Sequence, residues 1–279
     1  MKITYIYHSG FLVESADAYY IFDYYRADFP VTDADKPVYV FVSHRHPDHY
    51  NPYVFEILRE KKVRRMTGII SYDIKPRNYT SHMEGVEIIA AEPDKEYTLD
   101  NGALVRTLRS TDKGVAYVVT FDDGGVPRSV YHAGDLNDWV WEGEDERVNK
   151  WMTGSYRRYL TAVEGMHFDA VMVPVDSRQG DDMFRGIEYL LEKVKADAVY
   201  PMHYWDKPEV IMQFAEKYPQ YADIIRYTED RMDRYSVIED KNPREIVLLR
   251  GSGCVYKKCT FCDYYSDSGK DENVNYMIN

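Results

Sequence analysis

The sequence predicts an α/β protein in which two β-sheets pack together with helices outside them. Two observations support this prediction. Each half of the chain contains several short apolar strands, and in each half strands then alternate with helices. The chain has 279 residues, which is enough to bury a large core without disulfide bonds.

The elements of the first half are short apolar runs separated by polar or glycine turns. Three strands are predicted in KITYIY, GFLVES and AYYIFD, and a fourth, rich in β-branched residues, in PVYVFVS at 37–43. The fourth strand stops at the polar string HRHPDHYNP. The segment VFEILREKKVRR follows, with apolar residues at 54, 57 and 58 and charges between them, which predicts a helix.

The second half begins with four predicted strands and continues with helices that alternate with strands. The four strands are GVEIIAAE, ALVRTLRS, GVAYVVTF and RSVYHAGD. Helices are predicted around 146–164, 183–195 and 207–217, and further strands in DAVMVPV and ADAVYPMHY. A polar segment with a proline near 239–245 is the best candidate for a linker, and REIVLLRG predicts a new strand.

Composition and charge restrict the classes of function. There are 35 basic and 47 acidic residues, and the net charge of −12 argues against binding to nucleic acid or to an anionic membrane. No window approaches the roughly 18 apolar residues of a membrane span, and the first residues lack the features of a secretory signal. We therefore expect a cytoplasmic protein that acts on a small molecule.

Three of the eight histidines fall within residues 43–49, between a predicted strand and a predicted helix. Imidazole and carboxylate groups are the usual ligands of zinc, manganese and iron. His44 and His46 can point to one side of the loop while Asp48 and His49 turn to another, so one short loop can serve two adjacent metal ions. The alternative interpretation is a solvated polar loop that is rich in histidine.

The string HRHPDHY matches the HxHxDH signature of the metallo-β-lactamase fold superfamily. Three further motifs resemble those of that superfamily and occur in the same order: HSGF at 8–11, YHAGD at 131–135 and PMHY at 201–204. The first of them resembles the GHxxF opening of the branch that contains ascorbate-phosphate lactonase-like hydrolases. The resemblance covers roughly residues 1–240 and implies an αββα four-layer sandwich with a short C-terminal extension.

The resemblance also implies six ligands for two divalent transition metal ions. His44 and His46 would bind the first ion, Asp48, His49 and His203 would bind the second, and Asp135 would bridge the two.

One departure from the superfamily concerns the first ion, which usually receives a third histidine from a strand between the HxHxDH and YHAGD motifs. The corresponding turn here, residues 109–114, contains no histidine. His132 and Ser110 are the candidates to replace it, although strand alternation directs His132 and Asp135 to opposite faces. His82 is expected at the surface.

The resemblance implies a metal-dependent hydrolase that cleaves an ester, lactone or phosphate bond of a small polar substrate with a metal-bound hydroxide. Asp48 or Asp135 would orient the hydroxide and collect its proton. His8 would donate to a substrate oxygen. Asp176, which ends a buried strand on the same rim, is a further candidate for a metal ligand or for a residue that supports one. For both, the alternative is a polar side chain that caps a strand end. Two tryptophans in LNDWVWEG would cover the pocket or belong to the core.

All three cysteines lie near the C-terminus, as Cys254, Cys259 and Cys262, with the spacing C-x4-C-x2-C. Three thiolates in a glycine-rich loop suit a 4Fe–4S cluster with one open iron. The segment resembles the opening of a radical S-adenosylmethionine (SAM) enzyme, but the first spacing is four residues rather than three and the chain ends 17 residues after Cys262. A zinc site and, without metal, a disordered reduced tail are the competing interpretations.

We therefore divide the chain into a metallo-β-lactamase-like domain at 1–240 and a tail at 241–279 that resembles the incomplete start of a radical SAM domain. Two functions fit this organisation. The first is the metal-dependent hydrolase. The second is a weakly metallated or non-catalytic accessory module of a radical SAM fusion protein. The missing third histidine favours the second function, and the remaining ligands favour the first.

Overall fold

A computed structural model describes residues 1–76 and 81–227 and, beyond them, two short strands at 234–237 and 244–247. The chain divides into two compact units, Met1–Thr228 and Glu229–Asn279. The predicted domain border at residue 240 and the three cysteines lie outside the described residues. The border and the iron–sulfur cluster therefore stay predictions.

The first sheet of the first unit contains six strands. They are β1 Lys2–Tyr7, β2 Gly10–Glu14, β3 Tyr19–Phe22, β4 Val38–Val42, β5 Met66–Ser71 and β6 Glu87–Ala91. The strands lie side by side in chain order. The pairs from β1 to β3 are antiparallel, and the pairs from β3 to β6 are parallel.

The second sheet also contains six strands. Its strands are β7 Glu96–Thr98, β8 Leu104–Arg109, β9 Val115–Asp122, β10 Pro127–His132, β12 Ala170–Pro174 and β14 Val199–Met202. Two shorter strands, β11 His167–Phe168 and β13 Lys195–Ala196, occur in the same part of the chain but outside this sheet. The sheet order is β14-β12-β10-β9-β8-β7, with parallel pairing from β10 through β12 to β14. Strands β11 and β13 form a separate small parallel pair.

Four α-helices accompany the sheets: α1 Val54–Glu60, α2 Glu146–Leu160, α3 Arg185–Lys193 and α4 Glu209–Lys217. Short 3-10 turns lie at Ser81–Met83, Thr161–Val163, Ser177–Asp182 and Pro219–Tyr221. Helix α1 is shorter than the predicted segment VFEILREKKVRR. It ends early because Lys62 takes a left-handed backbone conformation, with φ of 64°, and its N–H donates to the carbonyl of Arg59.

Alternate side chains along the strands of the first sheet belong to two different hydrophobic cores. On β4, Tyr39 and Phe41 belong to the core shared by the two sheets, whereas Val38, Val40 and Val42 belong to the core that α1 covers. The shared core also includes buried residues of α2, α3 and α4. The observed layers confirm the predicted αββα sandwich, in which each sheet has helices on its outer side.

The second unit contains one described hairpin, in which β15 Arg234–Val237 pairs antiparallel with β16 Arg244–Val247. The strand predicted in REIVLLRG therefore begins where expected. The candidate linker near 239–245 overlaps the first residues of this strand. Within the described residues of the chain, no helix combines the length and the apolar composition that crossing a bilayer requires.

Candidate metal centre

Polar residues cluster where parallel strands of both sheets end. In the first sheet, Asp23 follows β3 and the loop 43–49 follows β4. In the second sheet, Asp135 follows β10, Asp176 follows β12 and His203 follows β14. The carboxyl ends of parallel strands lie at the same edge of a sheet, so these side chains meet there. The motifs that are far apart in the sequence therefore come together at one rim of the sandwich.

Two glycines hold the loop that carries His44 by packing against Ser43. A Cβ atom on Gly114 would lie 1.8 Å from the Ser43 carbonyl oxygen, and one on Gly134 would lie 2.5 Å from the Ser43 Cβ. Both glycines also have positive φ, of 70° and 52°. The N–H of Val115 donates to the same Ser43 carbonyl at 2.9 Å. Glycine is required at both positions because a side chain would displace the loop.

The first donor group consists of His44, His46, Asp112 and Asp135, whose ligand atoms all lie within 4.8 Å of one another. His44 Nε2 lies 3.0 Å from His46 Nδ1, and Asp112 Oδ2 lies 3.4 Å from the same His46 atom. Asp112 belongs to the turn 109–114 that lacks the expected histidine. It is not identifiable from the sequence motif, because a carboxylate at that turn does not match the superfamily pattern.

The second donor group consists of His8, Asp48, His49 and His203, whose ligand atoms also lie within 4.8 Å of one another. Asp48 Oδ2 lies 3.3 Å from His8 Nε2, 3.8 Å from His49 Nε2 and 3.9 Å from His203 Nε2. His8 and His203 have φ of 57° and 65°, a left-handed conformation that costs energy in residues other than glycine. The fold therefore maintains strained backbone at two of the four donors.

Asp135 lies between the two donor groups. Its Oδ2 is 3.5 Å from His44 Nε2 in the first group. Its Oδ1 is 3.2 Å from His49 Nε2 and 3.6 Å from His203 Nε2 in the second. One oxygen of this carboxylate thus faces each group, which is the arrangement that a bridging ligand needs.

Two buried carboxylates orient the imidazoles from behind. Asp23 Oδ2 lies 2.7 Å from His49 Nδ1, and Asp23 also accepts hydrogen bonds from the backbone N–H and hydroxyl of Ser43. Asp176 Oδ2 lies 3.1 Å from His203 Nδ1. Such partners fix the ring orientation of ligand histidines and leave Nε2 facing the ion. Asp23 is absent from the sequence-based set, although its position at the end of the apolar strand AYYIFD is a usable signal.

Burial and crowding shift the pKa values of these groups. Burial raises the pKa of Asp135 to about 7, and nearby carboxylates, with Asp112 foremost, add to the shift. Burial also lowers the pKa of His44 and of His49 well below the ordinary value, and neighbouring imidazoles reinforce this effect. Burial opposes protonation of His203 too, but Asp135 and Asp176 outweigh it and raise that pKa. A cation bound among these groups would offset the free-energy cost of burying several ionised carboxylates close to one another.

The donor set fits a divalent metal ion. His49 Nε2, Asp135 Oδ1 and both ring nitrogens of His8 are buried and form no hydrogen bond with any described residue. Buried polar atoms without a partner are rare in folded proteins and point to an ion or ligand. Imidazole nitrogens and carboxylate oxygens are the ligand types that divalent transition metals prefer. The structure therefore supports the prediction that this protein binds divalent metal ions.

Of the two residues considered as replacements for the third histidine, His132 lies outside both donor groups. His132 is buried, with Nε2 2.9 Å from the Ser9 carbonyl oxygen, and its Nδ1 accepts a hydrogen bond from the N–H of Gly134 at 3.1 Å. Ser110 Oγ accepts a hydrogen bond from the N–H of Asp112 at 3.3 Å. The structure brings Asp112, rather than His132, into the first group.

A cavity of about 330 Å³ opens onto both donor groups. Donors of both groups belong to its lining: His46, Asp48, Asp112, Asp135 and His203. The rest of the lining is mostly apolar and consists of Thr111, Trp139, Trp141, Met152, Arg178 and Trp205. Both tryptophans of the segment LNDWVWEG therefore face the pocket.

The two-sheet sandwich and the donor groups at its rim define a protein of the metallo-β-lactamase fold. The profile of the beta-lactamase superfamily domain matches residues 2–147, and the chain belongs to this family. Its family membership and its fold are thus those that the HxHxDH motif predicts.

Two solved structures are similar to this chain. A candidate metal-dependent hydrolase from Parabacteroides distasonis shares 16% sequence identity and gives a TM-score of 0.54, over 80% of this chain and 90% of that one. The metallo hydrolase Igni18 from Ignicoccus hospitalis shares 21% identity with a TM-score of 0.49, over 80% and 93% of the two chains. No curated protein matches the chain. At these identities, the similarity to the first structure shows a common fold.

Proposed function

We propose that this protein is a metal-dependent hydrolase that cleaves an ester, lactone or phosphate bond of a small polar substrate. The observation that carries the proposal is the single cavity onto which both donor groups open, with one oxygen of Asp135 facing each group. The candidate hydrolase from Parabacteroides distasonis, which has the same fold, supports the same reaction class.

The two donor groups would hold two metal ions of the zinc, manganese or iron type. This assignment keeps the six ligands that the motifs imply and adds Asp112 to the first ion and His8 to the second. A bound divalent ion supplies a Lewis acid that polarises the scissile bond and lowers the pKa of coordinated water. His8 is buried within its group and does not belong to the described cavity lining, so we assign it to metal binding rather than to proton donation.

The remaining roles belong to side chains at the cavity surface. Burial acts to raise the pKa of Asp48, but the imidazoles of His8 and His49, 3.3 and 3.8 Å from its Oδ2, outweigh it and hold that pKa below its ordinary value. Asp48 is therefore ionised at neutral pH, and its carboxylate can orient water and accept a proton at Oδ. The indole N–H of Trp139 donates to the Asp135 carbonyl at 2.9 Å, which fixes the ring beside the donors, where it excludes water.

The accessory-module hypothesis depends on an incomplete first site. Asp112 supplies a fourth donor to that group, 3.4 Å from His46 Nδ1, so the missing histidine no longer favours this hypothesis. Its second support, the cysteine segment with a 4Fe–4S cluster and a radical SAM partner, lies outside the described residues and stays a prediction. We therefore favour the hydrolase.

The proposed function is tested by metal content and hydrolysis in the same preparations. Protein purified without chelators is expected to contain about two equivalents of transition metal, because two donor groups of four ligands each are present. It is expected to hydrolyse at least one member of a panel of aryl esters, lactones and phosphate esters. His46→Ala should lose metal from the first group and lose the activity with it.

The matched control is His167→Ala, because His167 is an exposed histidine paired with Asp197 at 2.8 Å and is not in either donor group. This variant should retain both metal and activity. Wild-type protein that binds no metal under metal-replete conditions would refute the hydrolase proposal.

A further inference from the structure

We propose that the substrate of this cavity combines an anionic group with a planar apolar body, and that Arg178 together with the surrounding tryptophans selects this combination. The inference rests on the proposed function, because it names the substrate class of the same cavity. It concerns the wall of the cavity that is formed by lining residues other than the metal donors, namely Trp139, Trp141, Met152, Arg178 and Trp205.

Three tryptophans give this wall its planar apolar character. The rings of Trp139 and Trp141 are stacked, with centroids 5.9 Å apart and an angle of 3° between their planes. Trp205 and Met152 also line the cavity. Large flat faces of this kind bind planar apolar groups through burial and ring stacking. A small sugar-like or purely ionic substrate would leave most of this surface in contact with water.

Arg178 provides a fixed positive charge in the same wall. It is the one lysine or arginine among the described residues that line the cavity. Its guanidinium carbon lies 5.0 Å from the ring centre of Trp205 and 6.0 Å from that of Trp141. Cation–π contacts with the two rings hold the group in place. An anion bound there would lie directly beside the aromatic surface.

The hydrogen bonds of Arg178 leave one edge of its guanidinium available. The Nε and Nη2 atoms donate to the carboxylate of Asp176, which also contacts His203. Nη1 forms no hydrogen bond within the described part of the chain, and 55% of the side chain is exposed. The planar guanidinium can bind a second carboxylate, sulfonate or phosphate through its outer edge. Asp176 thus orients the arginine without occupying all of its donors.

A second donor in this wall lacks a partner. The indole nitrogen of Trp205 is buried and forms no hydrogen bond with any described residue. The Trp205 backbone is also left-handed, with φ of 57°, so the ring is maintained in its position at a conformational cost. An unpartnered buried donor in a ring whose centre lies 5.0 Å from the guanidinium carbon of Arg178 points to an acceptor supplied by a ligand.

The charges in the lining also define the orientation of the substrate. Asp48, Asp112 and Asp135 gather at the donor groups, whereas Arg178 lies with the tryptophans. With those carboxylates bound to metal ions, Arg178 is the charged side chain of the described lining that stays free to attract an anion. The anionic group of the substrate is therefore directed to Arg178 and the scissile bond to the donor groups.

The test compares two ligands of equal shape, toluenesulfonate and its neutral counterpart methyl p-tolyl sulfone. Neither contains a bond of the proposed reaction class, so only binding is measured. Three of the four tryptophans line the cavity, so quenching of tryptophan emission reports binding there. Wild-type protein is expected to bind the sulfonate about tenfold more tightly than the sulfone, as one charge-assisted contact allows. Arg178→Gln should abolish this preference.

Arg147→Gln is a closely matched control. Arg147, like Arg178, lies two residues after an aspartate that begins a helix, and its guanidinium donates to that aspartate, Asp145, at 2.9 Å. It does not belong to the described lining of the cavity. This variant should retain the full preference for the sulfonate. Trp141→Leu should weaken the binding of both ligands, because it removes apolar surface that the two have in common.

Wild-type protein allows two further tests that require no variant. The preference should decrease at high salt, because a partly exposed guanidinium is screened. It should persist after chelator treatment, because the anion contacts Arg178 rather than a metal ion. Equal affinity for the two ligands, a preference that survives in Arg178→Gln, or a preference that disappears with the metal would overturn the proposal. Since neither metal content nor hydrolysis is read here, failure of this test leaves the proposed function intact.

Discussion

The two donor groups differ in the ligand types that they offer to a metal ion, and one residue, Asp112, causes the difference. The first contains two imidazoles and two carboxylates, and the second contains three imidazoles and one carboxylate. Carboxylate oxygens suit manganese, and imidazole nitrogens suit zinc and iron. Asp112 creates this difference, because the superfamily pattern has a histidine in its place.

Asp112→Ala is expected to lower the affinity of the first group for metal at least about tenfold, because it removes one of four donors. A competition titration against a chromophoric chelator measures this change. Ser110→Ala is the control from the same turn, since the described contact of Ser110 Oγ is with the backbone N–H of Asp112 rather than with its carboxylate. A loss of affinity in Ser110→Ala without a loss in Asp112→Ala would show that the serine, not the carboxylate, completes the site.

Single residues also show how much of the site can be predicted. The HxHxDH spacing identifies four donors because it combines residue type, spacing and a strand end in one short string. Asp112 and Asp23 are not identifiable in this way. Each is one acidic residue in a segment without a motif, and its role depends on which strands become neighbours. Pairing of distant strands is a property of the folded chain, so Asp112 required the structure, whereas for Asp23 the end of an apolar strand was the available signal.

At the scale of elements, the site depends on turns that approach each other closely. The turn before β9 contacts the loop after β4 through Gly114 and Ser43. The sequence predicts both strands, because apolar alternation is a local signal. It does not predict the contact between their ends, in which a Cβ atom would be 1.8 Å from a carbonyl oxygen. The helix pattern likewise predicts α1 but not its early end, which depends on the conformation of Lys62.

Gly114→Ala should destabilise the protein far more than Gly102→Ala. Both glycines have positive φ, and this conformation costs alanine about 1–2 kcal/mol. A Cβ on Gly102 meets nothing within 4 Å, whereas a Cβ on Gly114 collides with Ser43 and His44. We expect a total loss of about 3 kcal/mol or more for Gly114→Ala, together with reduced metal content. Urea unfolding measures the difference, and equal losses in the two variants would contradict the close approach.

At the scale of the whole molecule, each donor group connects the two sheets. His8 follows β1 and the loop of His44 follows β4, both in the first sheet. Asp112, Asp135 and His203 follow β8, β10 and β14 of the second sheet. A metal ion in either group therefore cross-links the sheets at the rim of their shared core. The same ion would also bind buried polar atoms that have no other partner. Each such atom costs about 1–3 kcal/mol when it contacts neither water nor a hydrogen-bond partner.

Metal removal should consequently lower the melting temperature of the whole domain. A ligand at about 100 times its Kd stabilises a folded protein by about 2.7 kcal/mol, which corresponds to roughly 5–10 °C in a domain of this size. Thermal unfolding of metal-replete and chelator-treated protein measures this shift. In His46→Ala the shift should be smaller, because only the second group still binds a metal ion. A melting temperature that does not respond to the chelator would show that the donor groups do not hold metal between the sheets.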